Sequence, residues 1–180
     1  MAIGSEGDIN PMIEIAEALK DRGHQVDFLA SGYFEGKIAE AGLNPHPLGD
    51  RKQYEEVVKN PEIWHPRKGF QAIWENLKEY IPQQYELIES LVKPGETVLV
   101  ATSLGFAARL VAEKLKVKHS TVHLSPSVIL SAQRPPHMPG LKLPAIMPYA
   151  MRKWVIEAID RHALDRTLKP DMNQIGRAHV

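Results

Sequence analysis

Short strand-like segments alternate with amphipathic helical segments along the chain, and this alternation is what most limits its fold. The order strand, helix, strand occurs twice, within residues 25–48 and again within 97–124. The predicted strands are 25–30, 44–48, 97–101 and 118–124, and the helices that separate them are 33–41 and 106–115. Strands joined through a helix by short links run parallel, with right-handed crossovers. The sequence therefore predicts an α/β fold built on a parallel sheet.

A glycine-rich turn precedes the first helical pattern. Residues 4–11, with the sequence GSEGDINP, follow three apolar residues and lead into an amphipathic run at 12–22. Proline is favoured at the first position of a helix, so the pattern predicts that Asn10 caps the helix and that Pro11 begins it. Asp8 is then expected on the loop before the helix. Because open α/β sheets bind ligands at the carboxyl ends of their strands, this turn is the first candidate site.

Composition narrows the class of protein. The chain has 180 residues, enough for one well-buried α/β domain, and its 22 basic and 22 acidic residues give no net charge. This balance argues against a nucleic-acid partner. The absence of cysteine excludes disulfides, and no apolar run approaches the roughly 20 residues of a membrane helix. With no signal-peptide pattern at the N-terminus, a cytoplasmic location is expected.

Several motifs spread over residues 1–174 form the strongest signal for function. They are Gly4-Ser5-x-Gly7-Asp8-x-x-Pro11, Arg22-Gly23-His24-x-Val26, Asn60-Pro61-x-x-Trp64-x-Pro66, Leu124-Ser125-Pro126-Ser127, Met147-Pro148-x-Ala150-Met151-Arg152-Lys153 and Leu164-Asp165-Arg166-Thr167. Together they resemble the N-terminal domain of GT-B glycosyltransferases of the family 1 and family 28 type. They are most similar to the bacterial branch that glycosylates lipids, sterols and antibiotics, and within it to the rhamnosyltransferases of rhamnolipid synthesis. The resemblance implies a Rossmann-like parallel sheet with helices on both faces.

The resemblance covers only half of an enzyme. In the family, an N-terminal domain holds the acceptor and a C-terminal domain holds the nucleotide-sugar donor. Residues 1–174 are similar to the acceptor domain, with a first strand expected to be truncated because only three residues precede the turn. Residues 175–180 continue no upstream pattern and are interpreted as a non-native tail. The family's donor-binding motifs are absent, so the chain alone is not expected to transfer sugar and its expected partner is the missing C-terminal domain of the same protein.

The implied reaction moves a hexose, with inversion, from a nucleotide sugar to a hydrophobic hydroxylated acceptor. The nucleotide sugar, such as dTDP-rhamnose or UDP-glucose, is a co-substrate, and no separate cofactor is expected. The most specific version joins dTDP-rhamnose to a hydroxy-fatty-acid dimer. The GxxGD spacing of the turn differs from the GxGxxG of dinucleotide-binding folds, which argues against a nicotinamide cofactor. Eight scattered histidines without an HExxH motif give no indication of a metal site.

Asp8 is the candidate catalytic base. An acceptor hydroxyl is a poor nucleophile, and a base that takes its proton contributes roughly 10²–10⁴-fold. Asp8 matches the position of the family's base, and a nearby helix N-terminus stabilises its anion. The alternative is an ordinary loop or capping carboxylate. Ser5 and Gly7, on the same turn, are expected to contact the donor phosphates, because helix N-termini and backbone amides suit that role.

Five further residues are predicted to contact the acceptor. They are Trp64, Trp74, Ser103, His123 and Ser125. Trp64 lies between prolines on a loop and is the better pocket candidate, whereas Trp74 has the helical spacing typical of core aromatics. Ser103 stands where many relatives have an acidic residue that orients a histidine base, and simple helix capping is its alternative. His123 lies at the end of the predicted strand 118–124, where a satisfied core position is the alternative.

The last helical pattern, at 149–168, carries a weaker hypothesis of contact with a membrane surface. Its basic residues beside Trp154 are Arg152, Lys153, Arg161 and Arg166. A basic helix with an apolar anchor can lie on an anionic membrane. Acidic residues dilute the charge, and a solvated face is the alternative.

Two rival functions are compatible with the same motifs. A sugar-nucleotide epimerase or hydrolase can share the two-domain architecture, but it needs no apolar groove for an acceptor. A non-catalytic sugar- or lipid-binding module is the second rival, because the sequence contains no donor site. These alternatives stay open at the level of the sequence.

Overall fold

The structure is a computed structural model that describes residues 1–65, 68–125, 129, 131–135, 143–144, 146–159, 161 and 165–178. Within these residues the strands are β1 (Asp27–Ala30), β2 (Asn44–Pro47), β3 (Val98–Thr102) and β4 (Lys118–Val122). The helices are α1 (Glu6–Asp21), α2 (Glu35–Glu40), α3 (Arg51–Lys59), α4 (Gly69–Lys78), α5 (Ile81–Leu91), α6 (Phe106–Leu115), α7 (Tyr149–Ile159) and α8 (Asp165–Ala178). Short 3-10 helices at Gly32–Phe34 and Pro61–Trp64 precede α2 and α4.

The strands pair in parallel, as the alternation of segments predicts. β1 lies beside β2 with Asp27 opposite Asn44, and β3 lies beside β4 with Val98 opposite Lys118. Each pair is connected through a helix, α2 in the first pair and α6 in the second. The predicted α/β class is confirmed.

The N-terminal segment, residues 1–3, lies between the two strand pairs. The amide of Ala2 donates to the carbonyl of Leu29 in β1 at 2.8 Å. On the other side, the amide of Thr102 in β3 donates to the carbonyl of Met1 at 3.2 Å. These bonds give the spatial order β2, β1, N-terminal segment, β3, β4.

Helix α1 packs one face onto the first strand pair. Its buried residues recur at three- and four-residue spacing and are Ile9, Met12, Ile13 and Ala16. They form one apolar cluster with residues that include Phe28 of β1 and Phe34. Burial of a side chain the size of Ile or Met contributes about 1.5–3 kcal/mol. Because α1 begins directly after the N-terminal segment, this packing also fixes the position of its first turn.

The start of α1 differs from the prediction. The helix begins at Glu6 with Ser5 as its N-cap, so the predicted cap at Asn10 is wrong and Pro11 lies inside the helix. The carboxylate of Asp8 accepts a hydrogen bond from the amide of Ser5, which the first turn would otherwise leave without a partner. With this capping pair the helix begins more than one turn earlier than predicted. Pro11 then lies inside the helix, which lacks the one backbone hydrogen bond that a proline, having no N–H, cannot donate. Asp8 therefore lies on the helix and not on the loop before it.

Two further helical regions bear on the sequence pattern. Within the predicted helix over 149–168, α7 covers Tyr149–Ile159 and α8 begins at Asp165, and residues 160 and 162–164 between them lie outside the described residues. α8 continues through most of the predicted tail. The polar segment after β2 contains α3, where the side chain of Asp50 accepts from the amide of Gln53 at 2.7 Å.

Contacts divide the chain into two compact units. The first consists of Met1–Asn60 and Ile81–Leu124 and contains all the strands described above. The second consists of Pro61–Tyr80 and Ser125–Val180, and within it α4 contacts α8. In the described part of the chain, every helix is too short or too polar to cross a membrane.

Candidate active site

The carboxyl edge of the sheet contains the point at which the strand order reverses. From the N-terminal segment the chain goes to β1 and β2 on one side, and it later reaches β3 and β4 on the other. In open α/β sheets, ligands bind in the crevice at such a point. It is flanked by the residues that follow the N-terminal segment, from Gly4, and by those that follow β3, from Ser103. The candidate site lies at this edge of the first compact unit.

Asp8 lies at the first turn of α1 with its carboxylate turned back toward the preceding loop. Its Oδ2 accepts a hydrogen bond from the amide of Ser5 at 2.9 Å and lies 3.2 Å from the Ser5 hydroxyl, which also donates to it. Gly4 has φ of +139°, and a Cβ built there would overlap the same oxygen and lie 2.5 Å from Cγ of Asp8. A glycine is therefore required at this position by both backbone conformation and the proximity of the carboxylate.

Thr102, at the end of β3, fixes the two sides of the crevice to each other. Its hydroxyl accepts from the amide of Ile3 at 3.1 Å and lies 3.3 Å from the Ile3 carbonyl, to which it donates. The residue is 4% exposed, so the bonds are protected from water. Sequence patterns did not single out Thr102, although a polar residue that ends an apolar strand was the available signal.

Ser103 and His123 come together at the ends of adjacent strands. Ser103 follows β3 and His123 follows β4, and the Ser103 hydroxyl oxygen lies 3.0 Å from Nδ1 of His123. The side chain of His123 is exposed. Which atom donates depends on the histidine tautomer. The structure thus brings together two of the predicted acceptor contacts, whereas Ser125 belongs to the second compact unit.

Ser5 and Gly7, the predicted phosphate contacts, lie at the cap and in the first turn of α1. Gly7 is exposed, and a Cβ built there would lie 3.7 Å from the Ser5 hydroxyl, an ordinary contact distance. Packing inside the domain therefore does not require glycine at this position. Contact of these two residues with a donor stays a prediction.

The two predicted tryptophans differ sharply in exposure. Trp64 is 70% exposed at the end of a 3-10 helix, and it remains a candidate for contact with a ligand. Trp74 is 1% exposed, and its indole Nε1 donates to Oδ2 of Asp171 in α8 at 2.8 Å. Burial favours the packing role for Trp74 over contact with an acceptor.

An aromatic cluster that the sequence patterns did not reveal lies beside α1. The rings of Tyr33 and Tyr54 stack with centroids 4.6 Å apart, and Phe34 meets both edge to face. Burial raises the pKa of the Tyr54 phenol, as do the nearby Tyr33 and the carboxylates of Glu6 and Asp8. The rings come from two separate segments and so form no periodic pattern. The position of Tyr33 just after a strand was the available signal.

The residues of the membrane hypothesis lie in α7 and in the chain that follows it, with Arg166 in α8. Trp154 is 65% exposed, but both Lys153 and Arg161 lie 3.8 Å from a carboxylate oxygen of Glu157. Nε of Arg152 is buried, so this cation does not lie fully on the surface. The side chain of Arg166 lies outside the described residues. These ion pairs reduce the basic charge available to a membrane.

A metal cluster does not mark the carboxyl edge in the described ranges. The residues described contain no group of three His, Asp or Glu side chains placed to hold a metal ion. A surface depression of about 450 Å³ lies along the C-terminal half of α1, with Glu14, Glu17 and Lys20 in its lining. This depression lies at the opposite end of α1 from Asp8. The candidate site is therefore assigned from the topology of the sheet and from the chemistry of its side chains.

Residues 1–133 match the glycosyltransferase family 28 N-terminal domain. The chain belongs to this family. The matched part of the family 28 domain includes α1 and all four strands, and it therefore contains Asp8, Ser103 and His123. The predicted resemblance to glycosyltransferases is confirmed at the level of the family.

Two curated relatives have names that state a sugar transfer. The family 28 domain is 30% identical over 120 residues to UDP-sugar-dependent glycosyltransferase 52 of Dictyostelium discoideum, covering 65% of this chain and 7% of that protein. It is 27% identical over 97 residues to UDP-glucosyltransferase B1 of Starmerella bombicola, covering 50% of this chain and 22% of that protein. The chain thus spans less than a quarter of either relative.

Solved glycosyltransferases have the same fold. The TM-score is 0.53 with SsfS6 of Streptomyces sp. SF2575, at 18% identity over 68% of this chain and 37% of that one. It is 0.57 with the calicheamicin glycosyltransferase CalG4, at 15% identity over 97% of this chain and 41% of that one. At such identities the likeness concerns the fold alone, and this chain spans about two fifths of each of these two proteins.

Proposed function

We propose that this domain holds the acceptor in a glycosyltransferase that moves a hexose, with inversion, from a nucleotide sugar to a hydrophobic hydroxylated acceptor. The observation that carries the proposal is a carboxylate, Asp8, at the reversal point of a sheet that belongs to the glycosyltransferase family 28 N-terminal domain. Both named relatives above are sugar transferases, which supports the reaction class. We place the donor on a second domain, a proposal supported by the family resemblance and by the coverage of only about two fifths of CalG4 by this chain.

The chemistry is an in-line displacement at the anomeric carbon. The acceptor hydroxyl gives its proton to Asp8 while its oxygen forms the new bond to that carbon. The bond from the anomeric carbon to the diphosphate oxygen breaks, and the nucleoside diphosphate leaves with the electron pair. Ser5 and the exposed backbone at Gly7 lie at a helix N-terminus, where partial positive charge stabilises phosphate oxygens.

The finer assignment is transfer from dTDP-rhamnose to a hydroxy-fatty-acid dimer in the cytoplasm. It is supported by the motifs shared with rhamnosyltransferases of rhamnolipid synthesis, from Gly4-Ser5 to Leu164-Asp165. UDP-glucose is the alternative donor, in keeping with the name of the Starmerella bombicola relative. Trp64, Ser103, His123 and Ser125 are the side chains proposed to contact the acceptor.

Replacement of Asp8 tests the base. In the enzyme that carries both halves, Asp8→Asn keeps an oxygen that can accept from Ser5, so the helix cap is preserved while the base is lost. Transfer to the acceptor is expected to fall by roughly 10²–10⁴-fold. Asp21→Asn, at the exposed far end of the same helix, is the matched control and is expected to retain activity. Transfer at the unmodified rate by Asp8→Asn would remove Asp8 as the base.

A further inference from the structure

Both hydrogen bonds from Ser5 to Asp8 end on the same carboxylate oxygen. Oδ2 accepts from the Ser5 amide at 2.9 Å and from the Ser5 hydroxyl at 3.2 Å. Among the described residues, Oδ1 accepts no hydrogen bond. The two oxygens of Asp8 are therefore in different environments, one held by the cap and one available.

Gly4 provides an independent observation of the same orientation. The atom nearest to a Cβ built on Gly4 is Oδ2 of Asp8, so this oxygen faces the loop. The final torsion of an aspartate is broad and roughly twofold, and the carboxylate turns easily unless its oxygens are held. The two donors on Ser5 hold that torsion, and the missing side chain at Gly4 leaves room for the oxygen that they hold.

We infer that Ser5 is a positioning residue that holds Oδ2 of Asp8 and directs Oδ1 toward the acceptor hydroxyl. This inference rests on the proposed role of Asp8 as the base. A reacting pair must be held close to its productive geometry, and a misplacement of about 1 Å can cost on the order of 10²-fold in rate. In this domain no acidic residue follows β3 to orient a base, because Ser103 stands there and pairs with His123. Instead, Ser5 orients the carboxylate of Asp8 from its position at the N-cap of α1.

This role differs from the contact with donor phosphate that the sequence predicts for Ser5. A serine hydroxyl has one hydrogen, so it cannot donate to Asp8 and to a phosphate at the same time. If the hydroxyl serves the donor, its removal raises the KM for the nucleotide sugar. If it positions Asp8, its removal lowers kcat and leaves that KM unchanged.

The test compares Ser5→Ala, Ser5→Gly and Ser5→Thr in the enzyme that carries both halves, with dTDP-rhamnose and UDP-glucose as donors. Glycine is a good N-cap that costs only a few tenths of a kcal/mol of helix stability, so Ser5→Gly removes the hydroxyl without risk to the fold. Ser5→Ala and Ser5→Gly are expected to lower kcat by roughly 10- to 100-fold, with donor KM within about twofold. Ser5→Thr retains a hydroxyl and is expected to restore most of the rate. Ser90→Ala, at an exposed serine of α5, is the control and is expected to match the unmodified enzyme.

Two results would overturn the inference while leaving the base in place. One is an inactive Asp8→Asn together with an unchanged kcat in Ser5→Gly. The other is a raised donor KM at constant kcat, which would return Ser5 to the phosphate role. An active Asp8→Asn would instead remove Asp8 as the base, and an unmodified enzyme that transfers no sugar would remove the proposed function, so these failures are distinguishable.

Discussion

The hydroxyl oxygen of Ser103 lies 3.0 Å from Nδ1 of His123. The contact joins the carboxyl ends of β3 and β4, next to the edge at which Thr102 is tied to Ile3. Ser103 thus lies between the loop that leads to Asp8 and the exposed ring of His123. A substrate in the crevice would meet these side chains as one connected polar surface.

The Ser103–His123 pair is expected to act as a unit on acceptor binding. Ser103→Ala and His123→Ala should each raise the KM for the acceptor, and the double variant should be little worse than either single one, because removal of one partner already disrupts the pair. Steady-state kinetics of the enzyme with both halves, at saturating nucleotide sugar, measures this coupling. Fully additive effects on the acceptor KM would show that the two side chains do not act as a unit, and an unchanged acceptor KM would show that the pair does not serve the acceptor.

Gly4 is expected to be intolerant of any side chain. Gly4→Ala combines a φ of +139° with an overlap on the Asp8 carboxylate, and it should lower the free energy of unfolding by about 1–3 kcal/mol. Gly36→Ala in α2 is the matched control, because a Cβ built there meets nothing within 4 Å. Alanine is favoured over glycine in a helix by roughly 0.5–1 kcal/mol, so Gly36→Ala should be neutral or stabilising. Urea unfolding of the two variants gives opposite signs if the conformation at Gly4 is as described.

Much of the fold follows from the sequence because periodicity and turn residues are local signals. The amphipathic run at 12–22 predicts most of α1, and the segments that became β1 to β4 were predicted within a few residues. The start of α1 was missed because a rule about Pro11 outweighed a capping pair that only the Asp8 side chain completes. The preference of proline for the first helical position and the Ser5–Asp8 capping pair are both local. Which of the two sets the start of the helix was visible only in the folded chain.

The location of Asp8 at the carboxyl edge was predictable from the sequence, whereas much of its surroundings was not. Asp8 and Ser103 follow apolar segments, and a parallel sheet gathers the residues after its strands at one edge. The stack of Tyr33 on Tyr54 and the bonds of Thr102 to Ile3 depend on the spatial order of the strands. The spacing of residues within one segment does not predict contacts between different segments. The role of Trp74 depends likewise on α8, nearly a hundred residues later.

Trp74 and Trp64 are expected to respond very differently to the same substitution. Trp74→Phe removes the indole donor that faces the Asp171 carboxylate at 2.8 Å, and it should cost about 1.5–3 kcal/mol of stability. Trp64→Phe changes a side chain that is 70% exposed and should stay within about 0.5 kcal/mol of the unmodified chain. Urea unfolding followed by circular dichroism compares them. Equal losses would contradict the assignment of Trp74 to packing.

Stability is expected to fall as the pH drops below about 6.5, with His119 as a principal cause. Burial lowers the pKa of His119, and the Arg109 and Met1 charges lower it further, against the opposing effect of Glu113. In the described part of the chain, its buried Nε2 has no hydrogen-bond partner. When the pH is below the ordinary pKa of histidine, the imidazole therefore binds a proton in the unfolded state that it does not bind in the folded state. The free energy of unfolding falls as the solution is acidified.

The buried amino group of Met1 titrates in the same direction. Burial lowers its pKa from 8.0 to about 5, so it also destabilises the fold as the pH falls through that interval. The contribution of His119 is therefore isolated by comparing variants at several pH values. His119→Gln should show a shallower loss of unfolding free energy between pH values of roughly 7 and 5, while His24→Gln, at an exposed site, should keep the original slope. Identical slopes in both variants would show that the imidazole of His119 takes up its proton as readily in the folded chain as in the unfolded one.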